Sequence, residues 1–283
     1  MTRPLPFCGL ILLLLASCTK DGATPAYLQL GTPTVVAEGG EQASSKVTDC
    51  WVFLNDQPVG VWEPGSRIPL IGSGSARLKV IAGIRNNGST DDRIQYPYYA
   101  TWEQQVDLVP EQSVSYAPEF HYYGGLSYWL ADFESGVRFD TSNCTAVMLP
   151  VPGDGTLVGE QTRVGRIELD ADHSLYLGVS SGDPFYSTSP NAFLEVDYRS
   201  DVPLLFGVKY TAGSTNQPYE VGYAYAAPTS HDGSSWPWNK IYINIGTPMS
   251  VAGSDMRFYI RAELPEGSTS ASVELDNIKL VQP

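Results

Sequence analysis

The chain has 283 residues, carries 17 Lys and Arg against 31 Asp and Glu, and has a formal net charge of −14. That acid excess excludes nucleic acid as a partner, since nucleic acid selects basic patches, and excludes electrostatic adhesion to anionic lipid. It leaves open oxygen ligation of a hard cation such as calcium.

Arg3 precedes a short apolar run from Leu5 to Leu15, interrupted by Pro6. A membrane-spanning helix needs roughly 20 apolar residues, whereas a charged start, a short apolar core and small residues before a cleavage point make a secretory signal. Residues 1–17 are therefore expected to be removed. The end of the run, Leu15-Ala16-Ser17-Cys18, resembles the bacterial lipobox. That resemblance implies cleavage before Cys18 and diacylation of its thiol, with membrane lipid as a partner; one acyl chain alone anchors only marginally. Residues 18–25 read as a small polar tether. Within it, Lys20-Asp21 is similar to the export signal of surface lipoproteins in Bacteroidetes, which implies an outer-membrane protein facing the cell exterior.

Beyond the tether, helical periodicity is nearly absent and period-two alternation recurs. The 27 Gly and 21 Pro punctuate the alternating runs, as in β-sandwiches. The expected fold is all-β: an immunoglobulin-like sandwich over residues 26–120, a joint at 121–125, and a jelly-roll sandwich over 126–283. In the first part, Trp51 to Trp62 reads as strand, turn and strand, with Asn55-Asp56 turning the chain. Leu78 and Val80 alternate with Arg77 and Lys79. A turn at Asn86-Asn87-Gly88-Ser89 leads to an expected strand at Tyr96-Pro97-Tyr98-Tyr99, then strands at 102–109 and 113–120. The hairpin and the strand ending at Gly83 loosely resemble small PEGA-type immunoglobulin-like sandwiches. Cys50 lies on the inward parity with Val52 and Leu54, so it reads as a buried thiol rather than half of a disulfide with Cys144. Neither cysteine has the companions of a metal or catalytic site.

In the second part, strands are expected near 164–169, 174–180, 192–199, 203–210, 219–226, 239–246, 255–263 and 271–281. With the opening segment they make about nine, close to the jelly-roll number. Leu204, Phe206 and Val208 face one way, as do Met256, Phe258 and Ile260. Val273 and Leu275 share a parity that Ile278 and Leu280 reverse, so a bulge is expected at Asp276-Asn277. Asp132-Phe133-Glu134-Ser135-Gly136, Ser174-Leu175-Tyr176-Leu177, Trp238-Asn239-Lys240-Ile241-Tyr242 and Leu275-Asp276-Asn277-Ile278-Lys279-Leu280 resemble galactose-binding-like jelly rolls of carbohydrate-binding modules. The resemblance implies glycan binding, a structural calcium held with the help of Glu134 and Asp276, and a core position for Trp238.

Aromatic rings stack on the C–H faces of sugars, and in β-sheets they also serve plain packing. Tyr223 and Tyr225 share a parity with Tyr219 on one strand. Trp236 lies in a Gly/Ser-rich loop, where it is expected to be exposed, and Tyr186 lies in another, so the candidate ligand contacts are Trp236, Tyr186, Tyr223 and Tyr225. Catalysis has little support. His121, His173 and His231 belong to no nucleophile elbow or zinc pattern, and Asp132 with Glu134 gives a same-face acid pair that any alternating strand supplies. The chain therefore reads as a non-enzymatic, membrane-anchored surface lipoprotein that binds glycan. The alternative is a structural or docking subunit of an outer-membrane assembly, which would present a broad apolar patch to a protein partner.

Overall fold

A computed structural model describes residues 24–37, 39–141, 143–159, 162–186, 189–213, 215–230 and 235–283. The expected signal, the lipobox with Cys18, and His231 lie outside the described residues.

The first unit comprises β1 (Ala26–Leu30), β2 (Thr34–Val36), β3 (Gln42–Ala43), β4 (Asp49–Leu54), β5 (Gln57–Trp62), β6 (Arg67–Leu70), β7 (Gly74–Arg85), β8 (Arg93–Gln95), β9 (Trp102–Leu108), β10 (Ser113–Tyr116) and β11 (Glu119–His121). One sheet has the order β5-β4-β7-β8, with β9 also on β7; a second is β10-β1-β6, and a third small one is β11-β2-β3. Cys50, Val52, Leu78 and Val80 from the first sheet meet Leu28, Leu30, Ile68 and Leu70 from the second in a common core. The β4–β5 hairpin turns at Asn55 and Asp56, both at positive φ (49° and 63°), the conformation a tight two-residue hairpin demands. Cys50 is a buried free thiol and Cys144 is also free; burial, reinforced by the charge of Asp49, pushes the Cys50 pKa up to about 12.

The second unit comprises β12 (Ser127–Ala131), β13 (Phe139–Thr141), β14 (Met148–Pro152), β15 (Arg163–Asp170), β16 (Leu175–Ser180), β17 (Phe193–Ser200), β18 (Leu204–Ala212), β19 (Pro218–Ala226), β20 (Asn239–Asn244), α1 (Gly246–Val251), β21 (Ala252–Glu263) and β22 (Ser270–Gln282). Its inner sheet has the order β14-β15-β22-β17-β20 with β12 also on β22, and its outer sheet is β13-β16-β21-β18-β19. Leu194, Val196, Ile241, Ile243 and Leu275 of the inner sheet pack on Phe206, Val208, Phe258 and Ile260 of the outer sheet. The all-β expectation is borne out.

Local details depart from the sequence reading. The Met148-Leu149-Pro150-Val151-Pro152 stretch is an unforeseen strand, tolerated because β14 is an edge strand that pairs only with β15, where Pro costs no second ladder. Tyr96-Pro97-Tyr98-Tyr99 is a turn with one isolated bridge, Tyr99 to Tyr122, rather than a strand. Beyond Ala131, Asp132 and Glu134 do not share a strand face. Phe133 between them takes φ 63° and is fully buried, its ring where a Cβ on Gly165 would come within 2.4 Å of it.

The expected bulge is present. Glu195 pairs with Lys279 and Asp197 with Asp276, so Val196 stands opposite two residues, Asn277 and Ile278. Asn277 absorbs the extra length at φ 47°, a conformation Asn tolerates better than most residues. The slip returns Ile278 and Leu280 to the core and keeps Lys279 and Val281 on the far side of the sheet.

That far side is covered by the first unit. All eight residues of β17 are buried, which an alternating strand achieves only when both faces are packed. Phe193, Tyr242 and Val281 join the core of the first unit. Tyr96 meets Phe193 edge-on at 5.2 Å and Tyr242 at 5.0 Å, and Tyr98 meets Phe193 at 5.9 Å. Each such ring pair adds about 0.5–1.5 kcal/mol beyond its buried area. Main-chain bonds add registration: Asn87 N donates to Tyr242 O at 2.8 Å, and Asn244 N to the Asn87 side chain at 2.9 Å.

Residues 126–283 expressed alone would expose this face, including its charged groups. The chain from the tether onward should unfold in one cooperative transition, and residues 126–283 alone should melt at a lower temperature or fail to give a sharp transition. Calorimetry of the two forms checks this. Two separated transitions in the longer form would show that the units are energetically independent.

Candidate functional site

Two places combine polar chemistry with positioned side chains: the seam between the units and the solvent-facing side of the outer sheet.

In the seam, odd-numbered residues of β17 point toward the first unit. Glu195 is fully buried and accepts hydrogen bonds from the hydroxyls of Tyr96 (2.5 Å) and Tyr122 (2.9 Å). Lys240 Nζ lies 3.2 Å from its carboxylate and Lys279 Nζ 3.7 Å. Asp197 is also buried; Lys240 reaches it at 3.4 Å and the Ser44 hydroxyl donates to it. Desolvation alone raises the Glu195 pKa, but Lys279, Lys240 and the two tyrosine hydroxyls outweigh it and hold the carboxyl below the ordinary range. Desolvation likewise lowers the Lys240 pKa, and Asp197 and Glu195 overcome it, so Lys240 stays protonated. Burial and the neighbouring Glu195 charge push Tyr96 and Tyr122 well above the usual phenol range, keeping both as donors. This is a structural network whose partners come from both units.

Next to it, Arg199 donates to Glu274 through Nε at 2.6 Å and to Asp154 through Nη1 at 2.8 Å. Its guanidinium lies 4.5 Å from the Trp236 ring and 4.7 Å from the Trp238 ring. Both tryptophans are half-buried. The expectation of an exposed Trp236 beside a core Trp238 therefore needs correction. Neither belongs to the hydrophobic core, because each is drawn to the face of a buried cation.

Glu134 is occupied by protein donors: Thr162 N and Arg163 N, each at 2.8 Å, and the Thr162 hydroxyl. Asp276 is buried on the seam side and accepts from Asn277 N at 2.8 Å. Among the described residues, no three His, Cys, Asp or Glu side chains gather as metal ligands. Calcium takes 6–8 oxygens, whereas the described partners of Glu134 are N–H and O–H donors, which do not fit a cation shell. His121 and His173 sit on the surface beside Glu119 and Asp170.

On the outer sheet, strand registers line up side chains in rows. Leu177, Arg261, Leu205 and Tyr225 form one row across β16, β21, β18 and β19; Val179, Tyr259, Gly207 and Gly222 form the next. A register shift after Phe206 inserts Tyr223 as the extra residue of β19. The three tyrosines of this strand therefore do not share one face. Tyr225 points outward and is 72% exposed, Tyr223 packs partly on the core, and Tyr219 stacks on Tyr210 at 5.5 Å. Tyr259 lies over Gly207, where a Cβ would come within 2.2 Å of the ring. Tyr225, Leu205, Pro203, Arg261, Glu263 and Glu266 border a depression of about 410 Å³. Within it Arg261 pairs with Glu263 at 2.8 Å, and Glu266 adds a second acid; farther along the face Lys209 pairs with Glu220 at 2.8 Å. Phe185 N donates to Met256 O, which places the 61% exposed Tyr186 toward the Arg257 end of the same sheet. Of the four candidate aromatics, this face thus holds Tyr225 directly, with Tyr186 at its margin. Leu205, Tyr259 and Arg261 were missed as candidates, although the clean alternation of β18 and β21 already set them on the outward parity.

No protein-family model matches the chain, and no curated protein matches its sequence. Solved structures of similar fold include one concerned with the promiscuous specificity of carbohydrate-binding modules of the β-sandwich superfamily, at 11% identity and TM-score 0.39 over 90% of this chain and 94% of that one. A carbohydrate-binding module of family 28, specific for non-crystalline cellulose, matches at 11% identity and TM-score 0.38 over 53% of this chain and 92% of its own. A family 11 module from Clostridium thermocellum, in complex with a mixed-linked β-1,3-1,4 tetrasaccharide, matches at 14% and 0.34 over 54% and 94%. These are similar to the present chain as β-sandwiches, and no residue role is taken from them.

The seam makes a pH prediction. Glu195 has a folded pKa below its unfolded one, so its contribution to stability is complete above the ordinary carboxylate pKa of about 4.3 and is lost as pH falls through the folded value. Glu195→Gln should destabilise at pH 7 by about 3–5 kcal/mol, since it takes the carboxylate from Lys279 and leaves Lys240 with Asp197 alone, and should flatten the loss of stability below pH about 4.3. Thermal midpoints of both forms between neutral and acid pH check this. An unchanged midpoint at pH 7, or parallel acid profiles, would remove Glu195 from its assigned role.

Proposed function

We propose that the protein is a non-catalytic glycan-binding lipoprotein, anchored at the outer membrane through acylated Cys18 and binding neutral polysaccharide on its outer sheet. The observation that carries the binding reading is Tyr225: a ring 72% exposed beside a depression of about 410 Å³ whose one cation, Arg261, is already paired with Glu263. A pyranose has an apolar C–H face and a hydroxylated rim. Tyr225 and Leu205 offer a platform to the first, while Arg261, Glu263 and Glu266 offer donors and acceptors to the second. This lining supports an uncharged ligand over a uronate or sulfated one, because an anionic sugar would have to compete with Glu263 for Arg261 and would face Glu266.

One observation favours protein docking as a second function: the edge strand β14 exposes Leu149 (57%), preceded by Val147 (56%), and both border a depression of about 360 Å³.

Two experiments test the proposal. In affinity electrophoresis against neutral and acidic polysaccharides, at least one neutral polymer should retard the protein, and Tyr225→Ala should weaken that binding by about 1–3 kcal/mol, the range for one stacked ring measured with nucleic-acid bases, without changing the melting temperature. Binding unaffected by Tyr225→Ala, or confined to acidic polymers, would refute this site. Separately, Cys18→Ser should move the protein from membrane to soluble fractions; retention in the membrane would refute the anchor.

A further inference from the structure

A second cavity lies where the two units meet, away from the outer sheet. It has a volume of about 330 Å³ and is bordered by Glu41 and Gln42 of the first unit, and by Tyr128, Leu130, Asn277 and Lys279 of the second, with Tyr122 of the joint at its back. A pocket at a unit boundary with this volume sits at the lower end of the range for small-molecule sites.

The walls differ in chemistry. Tyr128 and Leu130 are outward residues of β12, 37% and 39% exposed, and Tyr128 meets the Tyr122 ring edge-on at 6.1 Å, so one side is apolar and held in place. The lining also holds two amide side chains, Asn277 on the neighbouring strand β22 and Gln42 of the first unit. Neither hydrogen-bonds another described residue through its side chain, so each offers both donors and an acceptor. Asn277 is fixed there by the bulge, at φ 47°. The Glu41 carboxylate and the Lys279 ammonium complete the lining with opposite charges. Lys279 is itself engaged with Tyr122 OH at 3.0 Å and stands 3.7 Å from Glu195, so it is not a free anion receptor.

Apolar side chains beside two amides, with no free cation among the described lining residues to attract an anion, match a small ring with one C–H face and a hydroxylated edge. We infer that this junction cavity is a second binding site, independent of the Tyr225 shelf, for a single neutral sugar residue such as the end of a glycan chain. The enclosed volume suits one or two rings rather than a polymer running through. Because the cavity draws its walls from both units, an occupant stabilises their packed arrangement, whereas a ligand on the shelf touches the second unit alone.

The test uses the Tyr225→Ala form of the mature chain, so that shelf binding does not contribute. Glucose, galactose, mannose, xylose and N-acetylglucosamine are titrated while ligand-observed NMR and thermal melting are followed, with glycine as a zwitterionic control. At least one sugar should bind and raise the melting temperature. Asn277→Gly, which suits the positive φ, and Gln42→Ala, at an exposed position, should each weaken that binding tenfold or more while the unliganded protein melts normally. The inference is overturned if none of the five sugars binds, if glycine binds in their place, or if binding survives both substitutions. Loss of polysaccharide binding on Tyr225→Ala in the earlier experiment bears only on the shelf, so the two sites fail separately.

Discussion

The whole arrangement depends on the burial of one carboxylate. Glu195 is surrounded by two lysines from its own sheet and two tyrosine hydroxyls from the other unit. Removing a charged group from water costs several kcal/mol, and the cost is recovered only when its partners are all in place. Two of those partners, Tyr96 and Tyr122, belong to the first unit and the joint. The first unit can therefore cover this sheet only in the arrangement that brings those hydroxyls to Glu195, while Phe193, Tyr242 and Val281 are the part of the face that water solvates poorly. The tyrosine cluster around Phe193 supplies the apolar part of the same contact.

This constraint also distributes exposed surface. With one side of the inner sheet facing the sandwich core and the other facing the first unit, the outer sheet keeps the free flat surface. Its outward rows can then be given to Tyr225, Leu205 and Arg261 without loss of core. The register shift after Phe206 decides which aromatic is offered: it turns Tyr225 out and Tyr223 in. The bulge at Asn277 works similarly at the junction, re-aiming one amide toward the cavity while returning Ile278 to the core.

What could be read from the sequence follows from what each signal reports. Alternation at Leu204, Phe206 and Val208, and the phase reversal between Leu275 and Ile278, are properties of one strand and were legible. The hairpin at Asn55-Asp56 was legible for the same reason. The seam was not. Glu195, Asp197 and Arg199 alternate with Leu194, Val196 and Tyr198 as in any strand with one wet face, and only the tertiary arrangement shows that this face is dry. Tyr96-Pro97-Tyr98-Tyr99 has strand-forming residues, yet its rings are committed to the seam and its backbone turns to deliver them. Trp236 was misread because its partner, Arg199, is distant in sequence. The Tyr219, Tyr223 and Tyr225 parity failed because β19 shows no apolar phase reversal of the kind that exposes the bulge in β22.

The claim that matters most is that the two units are coupled through Glu195. A double-mutant cycle on residues 18–283, pairing Tyr96→Phe in the first unit with Glu195→Gln in the second, measures it directly by denaturant unfolding. Groups in one buried network couple by about 0.5–3 kcal/mol, and the upper half of that range is expected for a hydroxyl bound to a buried charge. A coupling energy of about 1.5 kcal/mol or more would show the seam acting as one unit; effects that simply add would contradict it.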